Sequence, residues 1–509
     1  MAAEKTDTLL FVLGDQLDRE SPALQALDRG RDAVLMAEVA AESENVPVHR
    51  QRTVLFLSAM RQFAAELRDA GFRVRYAKLD DRGNTQSLGG ELKRAMGKLR
   101  PDRVVVTQPG DHRVERELHE VCPGIAIRSD TSFTCSLEQF DAWADGRREL
   151  TMEYFYRERR RALNLLMDGK RPVGGEWNYD KQNREAFRAP PKIRKPYRAR
   201  PDETTREVMR LVEKRWPEAP GRMETFGWPV TRREARRALR DFINHRLSGF
   251  GTYEDAMWAG EPTLYHSRLA SSLNVKLLKP AECVEGAIRA YEQGEAALND
   301  VEGFVRQIIG WREFIRGVYY REGAEYRERN RLDHDGKLPA LFWTGETKMR
   351  CLRHCVGEVL DGAWGHHIPR LMVIGNFSLI AGVSPQAIND WFLGMYTDAV
   401  DWVTTPNVVG MSQHADGGVV GTKPYAASGK YIDRMSNYCA SCPYDVKKRT
   451  GEDACPFNVF YWDFLIRHHR RFKSNRRMAM VLKNVDRLDP KEKRAIRGRA
   501  DALRQELGT

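Results

Sequence analysis

Four cysteines have the types and spacing for metal chemistry. Cys351 stands alone, and Cys439, Cys442 and Cys455 follow as Cys-Ala-Ser-Cys, twelve residues, then Cys-Pro-Phe-Asn. Four thiolates converging from one fold, with no histidine in the cluster, suit either a structural zinc or an iron-sulfur centre, and Pro456 follows the last cysteine as in many iron-sulfur ligand runs. The other cysteines, Cys122, Cys135, Cys283 and Cys355, lie in apolar or helical surroundings and read as buried free thiols. Eight cysteines in 509 residues are too few for a disulfide scaffold, which favours metal binding in a reducing, cytoplasmic setting.

Three further segments carry groups that packing alone does not need. His266-Ser-Arg-Leu-Ala-Ser-Ser272 presents three hydroxyls near an expected helix start, which makes either an N-cap or an anion cradle. Gln307-Ile-Ile-Gly-Trp-Arg-Glu313 sets Arg312 and Glu313 on a mostly apolar helix, where charges are costly unless they meet a ligand or each other. His366-His367-Ile-Pro-Arg370 precedes an apolar run; adjacent histidines diverge by about 100° on a helix, so one of them faces a pocket and can donate a proton near neutral pH.

The elements that position these residues divide into three stretches. In 1–130, apolar runs at Thr8–Leu13, Ala33–Met36, Phe72–Tyr76, Arg103–Thr107 and Ile125–Arg128 alternate with helical periodicity around 47–70 and 88–99. Alternating strands and helices predict a doubly wound α/β domain with a parallel sheet. Gly14-Asp15-Gln16 follows the first strand, where such sheets bind ligands, yet the Gly-rich phosphate fingerprint is missing. Residues 131–231 are rich in Gly and Pro and read as a connector with some helix, running over the surface. From 232 to 509 the pattern is all helical, with helices expected at 231–247, 280–292, 301–320, 349–364 and 385–395.

Lysine and arginine outnumber acids by 83 to 71, for a formal charge of +12. Basic runs at Arg157–Arg161, Lys192–Lys195 with Arg198 and Arg200, and Arg467–Arg471 with Lys473, Arg476 and Arg477 make nucleic acid the expected partner. The N-terminal Met1-Ala-Ala-Glu-Lys-Thr-Asp lacks a signal-peptide pattern, and no apolar stretch approaches the roughly 20 residues of a membrane span. A cytoplasmic monomer without membrane attachment is expected.

Several motifs together resemble a known family. They are Leu13-Gly-Asp-Gln-Leu, Met152-Glu-Tyr-Phe-Tyr, Ile309-Gly-Trp-Arg-Glu-Phe, the His-His-x-x-Arg segment, Gly410-Met-Ser-Gln and Gly421-Thr-Lys-Pro-Tyr-Ala-Ala-Ser-Gly, with the four cysteines. Their order over the whole chain is similar to that of the iron-sulfur bacterial cryptochromes and photolyases, most of all the prokaryotic (6-4) photolyases. The resemblance implies a 6,7-dimethyl-8-ribityllumazine antenna in the first domain, held by Asp15 and Glu42. It implies FAD in the helical domain, its phosphates held by Ser267, Leu269 and Ser271 and its flavin surrounded by Arg312, Arg370, Asp398 and Asn407. A 4Fe-4S cluster would be ligated by Cys351, Cys439, Cys442 and Cys455. His367 would face the lesion in UV-damaged DNA, with His366, Met411, Tyr425 and Tyr431 lining its pocket, and Trp391 and Trp343 would carry electrons to the flavin.

The implied function is light-dependent repair of (6-4) photoproducts, with His367 as the proton donor. A cryptochrome-like photoreceptor with the same cofactors is the alternative. A light-independent iron-sulfur module for nucleic acid, like the large subunit of archaeal and eukaryotic primases, is a third. Two positions depart from the family pattern. Phe392 follows Trp391 where relatives commonly place tyrosine, and Thr404 stands where an acid facing the flavin is expected, with Asn407 or Asp401 as the candidate to compensate.

Overall fold

A computed structural model describes residues 6–509, so most of the N-terminal heptapeptide, Met1 to Lys5, lies outside the described residues. The chain begins with a parallel sheet of five strands: β1 (Thr8–Phe11), β2 (Ala33–Ala37), β3 (Val74–Ala77), β4 (Arg103–Thr107) and β5 (Ala126–Arg128). Their order is β3-β2-β1-β4-β5. Register is set by pairs such as Leu10 with Val34 and Leu10 with Val105. Side chains alternate across a strand, so Leu10, Val34 and Val105 face one side while Leu9, Phe11 and Val106 face the other. Both faces are apolar because helices cover both, as parallel sheets require. Helices Leu88–Leu99 and His112–Val121 close the second face.

The first face does not end at the sheet. Its core runs through helix Arg50–Asp69 into the helical body, joining Val54 and Phe63 to Phe140, Phe155, Phe242 and Phe304. This corrects the expectation that 131–231 runs over the surface. Phe140, Trp143, Phe155 and Tyr156 of that stretch are buried, and Phe140 and Phe155 pack edge-on against Phe314 or each other. Helices Leu137–Ala144 and Met152–Leu163 therefore form part of the interior. Arg160 of the basic run is fully buried and donates to the carbonyls of Leu165, Leu166 and Trp177, and Arg159 is buried too, so half of that run is structural.

Beyond 232 the described residues form helices and loops, those up to about 318 packing mostly into the first core and most from 332 onward around a second centred on Phe377, Trp391, Phe457 and Phe460. Helices Pro280–Glu292 and Pro385–Met395 match the sequence expectation. The helix expected at 301–320 is present but interrupted by a widened π turn, Arg306–Arg312, between Leu298–Val305 and Glu313–Glu322. Two more wide turns occur at Pro369–Gly375 and Pro406–Ser412. No helix among the described residues is long and apolar enough to cross a membrane.

Candidate functional site: a large helical cavity with two satellites

The three wide turns share one location. Each contributes side chains to a single cavity of about 1410 Å³, through Arg306, Gln307, Ile308, Trp311 and Arg312, through Arg370 to Met372, and through Asn407, Val408, Met411 and Ser412. Ligand pockets usually run to about 300–1,000 Å³, so this one has room for a dinucleotide and an opening besides. A π turn inserts one residue and rotates the next side chains about the helix axis, and such turns recur at functional sites. Glycines let them pack closely. A Cβ on Gly375 would stand within van der Waals overlap of Ser412 Oγ, and one on Gly410 would strike the Tyr326 hydroxyl.

The rotation decides the fate of Arg312 and Glu313. They form no pair: Glu313 turns inward and accepts from the backbone amides of Thr134 and Cys135 at 2.9 and 3.1 Å, while Arg312 faces the cavity and donates to Asn274 Oδ1 and, at 3.2 Å, to the Leu273 carbonyl. Both of its acceptors are neutral, and burial pushes the guanidinium down to about 10. Arg268, also on the wall, is held down to about 9 by burial and sits over Trp228, 4.2 Å from the ring centroid. It occupies left-handed backbone, φ 57°, a conformation that a non-glycine residue keeps only where its surroundings demand it. Two buried cations without a carboxylate are expensive, and an anion entering the cavity would offset that cost.

Arg370 is settled differently, forming a bidentate pair with Asp398 at 3.0 and 2.9 Å and stacking over Tyr396 at 4.0 Å. Of the loop expected to hold phosphates, Ser267 and Leu269 reach the wall; Ser271 does not line the cavity but lies buried behind Ala270, its hydroxyl without a partner among the described residues. The helix there, Ala270–Asn274, starts at Leu269 with no side-chain cap, so the N-cap alternative fails.

His366, His367, Met411, Tyr425 and Tyr431 all line the cavity, as named from sequence, together with the unforeseen His266, Glu254 and Asp255. His266 and His366 stack at 4.1 Å between centroids. Burial drives both well below the ordinary histidine range, so they are neutral. His367 is half exposed, its Nε2 3.6 Å from Asp255 Oδ1, and the Tyr431 hydroxyl donates to the other oxygen of Asp255 at 3.4 Å. Burial lifts the Glu254 carboxyl to about 7 against the pull of His367 and Arg306. The rim adds Arg157, Arg184, Lys423, Arg434 and Arg477, and Tyr154, whose ring is 56% exposed. From the C-terminal basic run, Arg477 reaches the rim, whereas Arg467 is tied internally to Asp463 at 2.9 Å.

The positions that depart from the family pattern also meet this cavity. Phe392 lines it, stacked on Tyr396 at 5.2 Å and edge-on to Trp391 at 5.4 Å. Trp391 is buried and donates its Nε1–H to the Phe342 carbonyl at 3.0 Å, beside the half-buried Trp343. Thr404 and Asn407 are on the wall. Asp401 is not, which removes it as a substitute for an acid there; it accepts hydrogen bonds from Tyr319 at 2.6 Å and Thr405 at 2.5 Å and faces a different pocket.

That pocket, about 130 Å³, lies beyond the carboxyl ends of β1 and β2, at the edge where strand order reverses. That is too small for a dinucleotide. Asp15 and Glu42 both line it, as named from sequence. Burial raises Asp15 to about 6, while Glu42 pairs with Arg113 at 2.7 Å.

A third, small and apolar cavity gathers Cys351, Cys439, Cys442 and Cys455. Cys351 is the second residue of helix Arg350–Gly362 and Cys455 caps Pro456–Arg467, so two helix N-termini face the sulfurs and favour thiolates. Burial, helped by neighbouring acids and thiols, pushes Cys455 up to about 11 and Cys439 up to about 12, so the set needs a cation to hold it ionised. Tetrahedral zinc, with Zn–S near 2.3 Å, would bring the sulfurs to about 3.8 Å of one another. A 4Fe-4S cluster, with one iron at each thiolate, would space them wider.

Known proteins match this arrangement. A family model described as deoxyribodipyrimidine photo-lyase-related protein matches residues 10–228. A (6-4) photolyase of Agrobacterium fabrum is 46% identical over 505 residues, 98% of this chain and 99% of its own. Among solved structures, a bacterial class III photolyase from Agrobacterium tumefaciens aligns over 99% of both chains with a TM-score of 0.56 at 16% identity. A Synechocystis cryptochrome aligns over 86% of this chain and 89% of its own, with a TM-score of 0.55 at 13% identity. With the photolyase and cryptochrome architecture matched end to end and nearly half its residues shared with a (6-4) photolyase, the chain belongs to the (6-4) photolyase family.

Proposed function

We propose that this chain is a light-driven DNA repair enzyme that reverses (6-4) pyrimidine photoproducts. The observation that carries the proposal is that His366, His367, Met411, Tyr425 and Tyr431 line one large cavity in a chain of this family. FAD, when bound and reduced, supplies the electron that light drives into the lesion. Arg268 and Arg312, buried without carboxylates, would hold its phosphate-bearing half, with Ser267 and the Leu269 loop beside them. The Arg370–Asp398 pair, Thr404 and Asn407 would surround its ring. No carboxylate stands at Thr404, and Asn407, already donating to the Val403 carbonyl at 2.7 Å, keeps its side-chain oxygen free to accept.

A flipped lesion must lose its stacking and find a substitute. Tyr425, Tyr431 and Met411 would supply apolar walls, and the rim cations Arg157, Arg184, Lys423, Arg434 and Arg477 would hold the flanking phosphates. His367, half exposed and 3.6 Å from Asp255, would deliver the proton that moving a hydroxyl or amino group between pyrimidines requires. His366, buried and neutral, would orient the pair as a hydrogen-bonding partner. The pocket at the sheet would take a lumazine chromophore, which gathers light, against Asp15 and Glu42. The four cysteines would hold a 4Fe-4S cluster, which ties Cys351 to the C-terminal segment.

Illumination of the purified protein with an oligonucleotide carrying a (6-4) photoproduct tests the proposal. Loss of the product under light, and none in darkness, is expected. Persistence of the product with fully reduced FAD in place would overturn it. An absorption spectrum of the same sample checks the cofactors: flavin bands, a near-ultraviolet antenna band and a broad iron-sulfur shoulder are each expected.

A further inference from the structure

Helix Met152–Leu163 turns Met152, Phe155, Tyr156, Arg159 and Arg160 inward and leaves Tyr154 outside. Its ring is 56% exposed at the edge of the helical cavity, whereas Met480, the other large apolar side chain exposed among the described residues, does not line it. A lone exposed tyrosine is ordinary on a protein surface. This one heads a row. The Arg157 guanidinium lies 5.7 Å from the Tyr154 ring and 5.6 Å from that of Trp177, and the exposed Arg161 covers Trp177 at 4.6 Å. Glu153 holds the row together, accepting from Arg157 Nε at 2.9 Å and from Asn178 Nδ2, beside Trp177, at 3.1 Å. Rings and guanidinium groups both offer flat faces on which unpaired bases stack.

Flipping a lesion creates such bases. Two adjacent pyrimidines leave the duplex, and the bases opposite lose both their pairing and part of their stacking. Proteins that hold DNA open commonly place an apolar wedge in the gap. Tyr425 and Tyr431 are half-buried in the cavity wall, placed for what enters; Tyr154 stands outside and can touch only what stays there. Charge at this edge suits DNA. Both acids of the helix are paired, Glu153 with Arg157 at 2.8 Å and Glu158 with Arg147 at 3.0 Å, while Arg161 and Arg184 stand exposed for phosphates.

We propose that Tyr154 is the wedge that fills the gap in the duplex, stacking on the unpaired bases opposite the flipped lesion with Arg157 against its ring. It makes the grip of the enzyme selective for lesions in double-stranded DNA. The inference rests on the proposed repair function, and its test separates the two.

The full chain with its cofactors is titrated in darkness, at one salt concentration, with an oligonucleotide carrying a (6-4) photoproduct, once as a duplex and once as a single strand. Tyr154→Ala should weaken duplex binding by about tenfold, the worth of one base–aromatic stack, and leave single-strand binding at the parent value. Tyr154→Phe keeps the ring and should bind both substrates as the parent does. Because the side chain is exposed, neither change disturbs the core. With 2-aminopurine opposite the lesion, the bound duplex should fluoresce more brightly with Tyr154→Ala than with the parent, since the probe base loses its stacking partner. Unchanged duplex affinity in Tyr154→Ala, equal losses on duplex and single strand, or equal probe brightness with both proteins would overturn the wedge. A parent chain that binds damaged and undamaged duplex alike would overturn the repair reading, and the wedge with it.

Discussion

The helical cavity and the pocket at the sheet differ in how their charges are settled. Around the sheet pocket the protein balances itself: Glu38 holds Arg61 at 2.6 and 2.9 Å, and Arg113 bridges Glu42 and Asp111 at 2.7 and 3.2 Å. The exceptions are Asp15 and Arg52, which burial pushes up and down respectively, and Arg52 Nε and Arg113 Nε lack a hydrogen-bond partner. Around the helical cavity Arg268 and Arg312 have no carboxylate, and Glu254 Oε2, Arg268 Nε, Arg312 Nε and His366 Nδ1 have no hydrogen-bond partner. A buried polar atom left without a partner costs about 1–3 kcal/mol. The sheet pocket thus settles most of its charge in ion pairs of its own. The helical cavity is completed by its occupant, so a ligand there contributes to folding as well as to chemistry.

The sharpest way to break that contrast is at the one charge pair the helical cavity does settle for itself. Arg370→Ala leaves Asp398 buried and without its bidentate partner, and removing one member of a buried pair costs about 3–5 kcal/mol. A large fall in unfolding midpoint and in flavin content is expected. A variant that keeps its flavin and the parent midpoint would show that the cavity does not depend on its charges.

His367→Asn probes the chemistry with little structural cost, because the side chain is half exposed. Flavin content and midpoint should stay at parent values while repair of the (6-4) product falls by about 10²–10⁴-fold, the usual worth of a positioned proton donor. Equal repair rates would remove His367 from the role of acid. Phe392→Tyr, at the cavity wall between Trp391 and Tyr396, should speed light-driven reduction of the flavin, since a phenol gives up an electron far more readily than phenylalanine. Its hydroxyl enters an apolar wall, so a stability loss of about 1–3 kcal/mol accompanies the gain. Flash spectroscopy separates the two effects, and an unchanged reduction rate would show that no hop is missing at this position.

Periodicity decides how much of this was legible in the sequence. The strands of the sheet and the helices Pro280–Glu292 and Pro385–Met395 announce themselves because alternation and 3.6-residue repeats survive along them. The wide turns do not. Apolar spacing through 301–320 continues across Arg306–Arg312, so the sequence shows one helix and hides the rotation that sends Arg312 to the cavity and Glu313 inward. His266, Glu254, Asp255 and Arg268 lie in loops with no repeat to reveal them, and only the left-handed backbone at Arg268 marks its position as special. The run Arg157–Arg161 misleads for the opposite reason. Charge composition cannot tell a rim arginine such as Arg157 from Arg160, which is buried among carbonyls.

The smallest effect belongs to Asp15, one of the exceptions in the sheet pocket. Burial raises the Asp15 carboxyl from 3.8 to about 6, with Asp130 and Glu42 adding to the rise and Lys276 opposing it. A carboxyl whose folded value lies above its unfolded one binds its proton more tightly in the native state, so stability falls as pH climbs from 3.8 through 6 and stays lower above that. Asp15→Asn removes the penalty. Since one pKa unit corresponds to about 1.4 kcal/mol and partial solvent contact lowers the cost, the variant should gain about 1–2 kcal/mol above pH 6 and nothing below 3.8. Urea unfolding across that interval measures it, in protein whose sheet pocket is empty. A gain of the same size at every pH would trace the effect to packing instead of ionisation. No gain at all would mean that Asp15, like Glu38 and Glu42, already has its charge balanced.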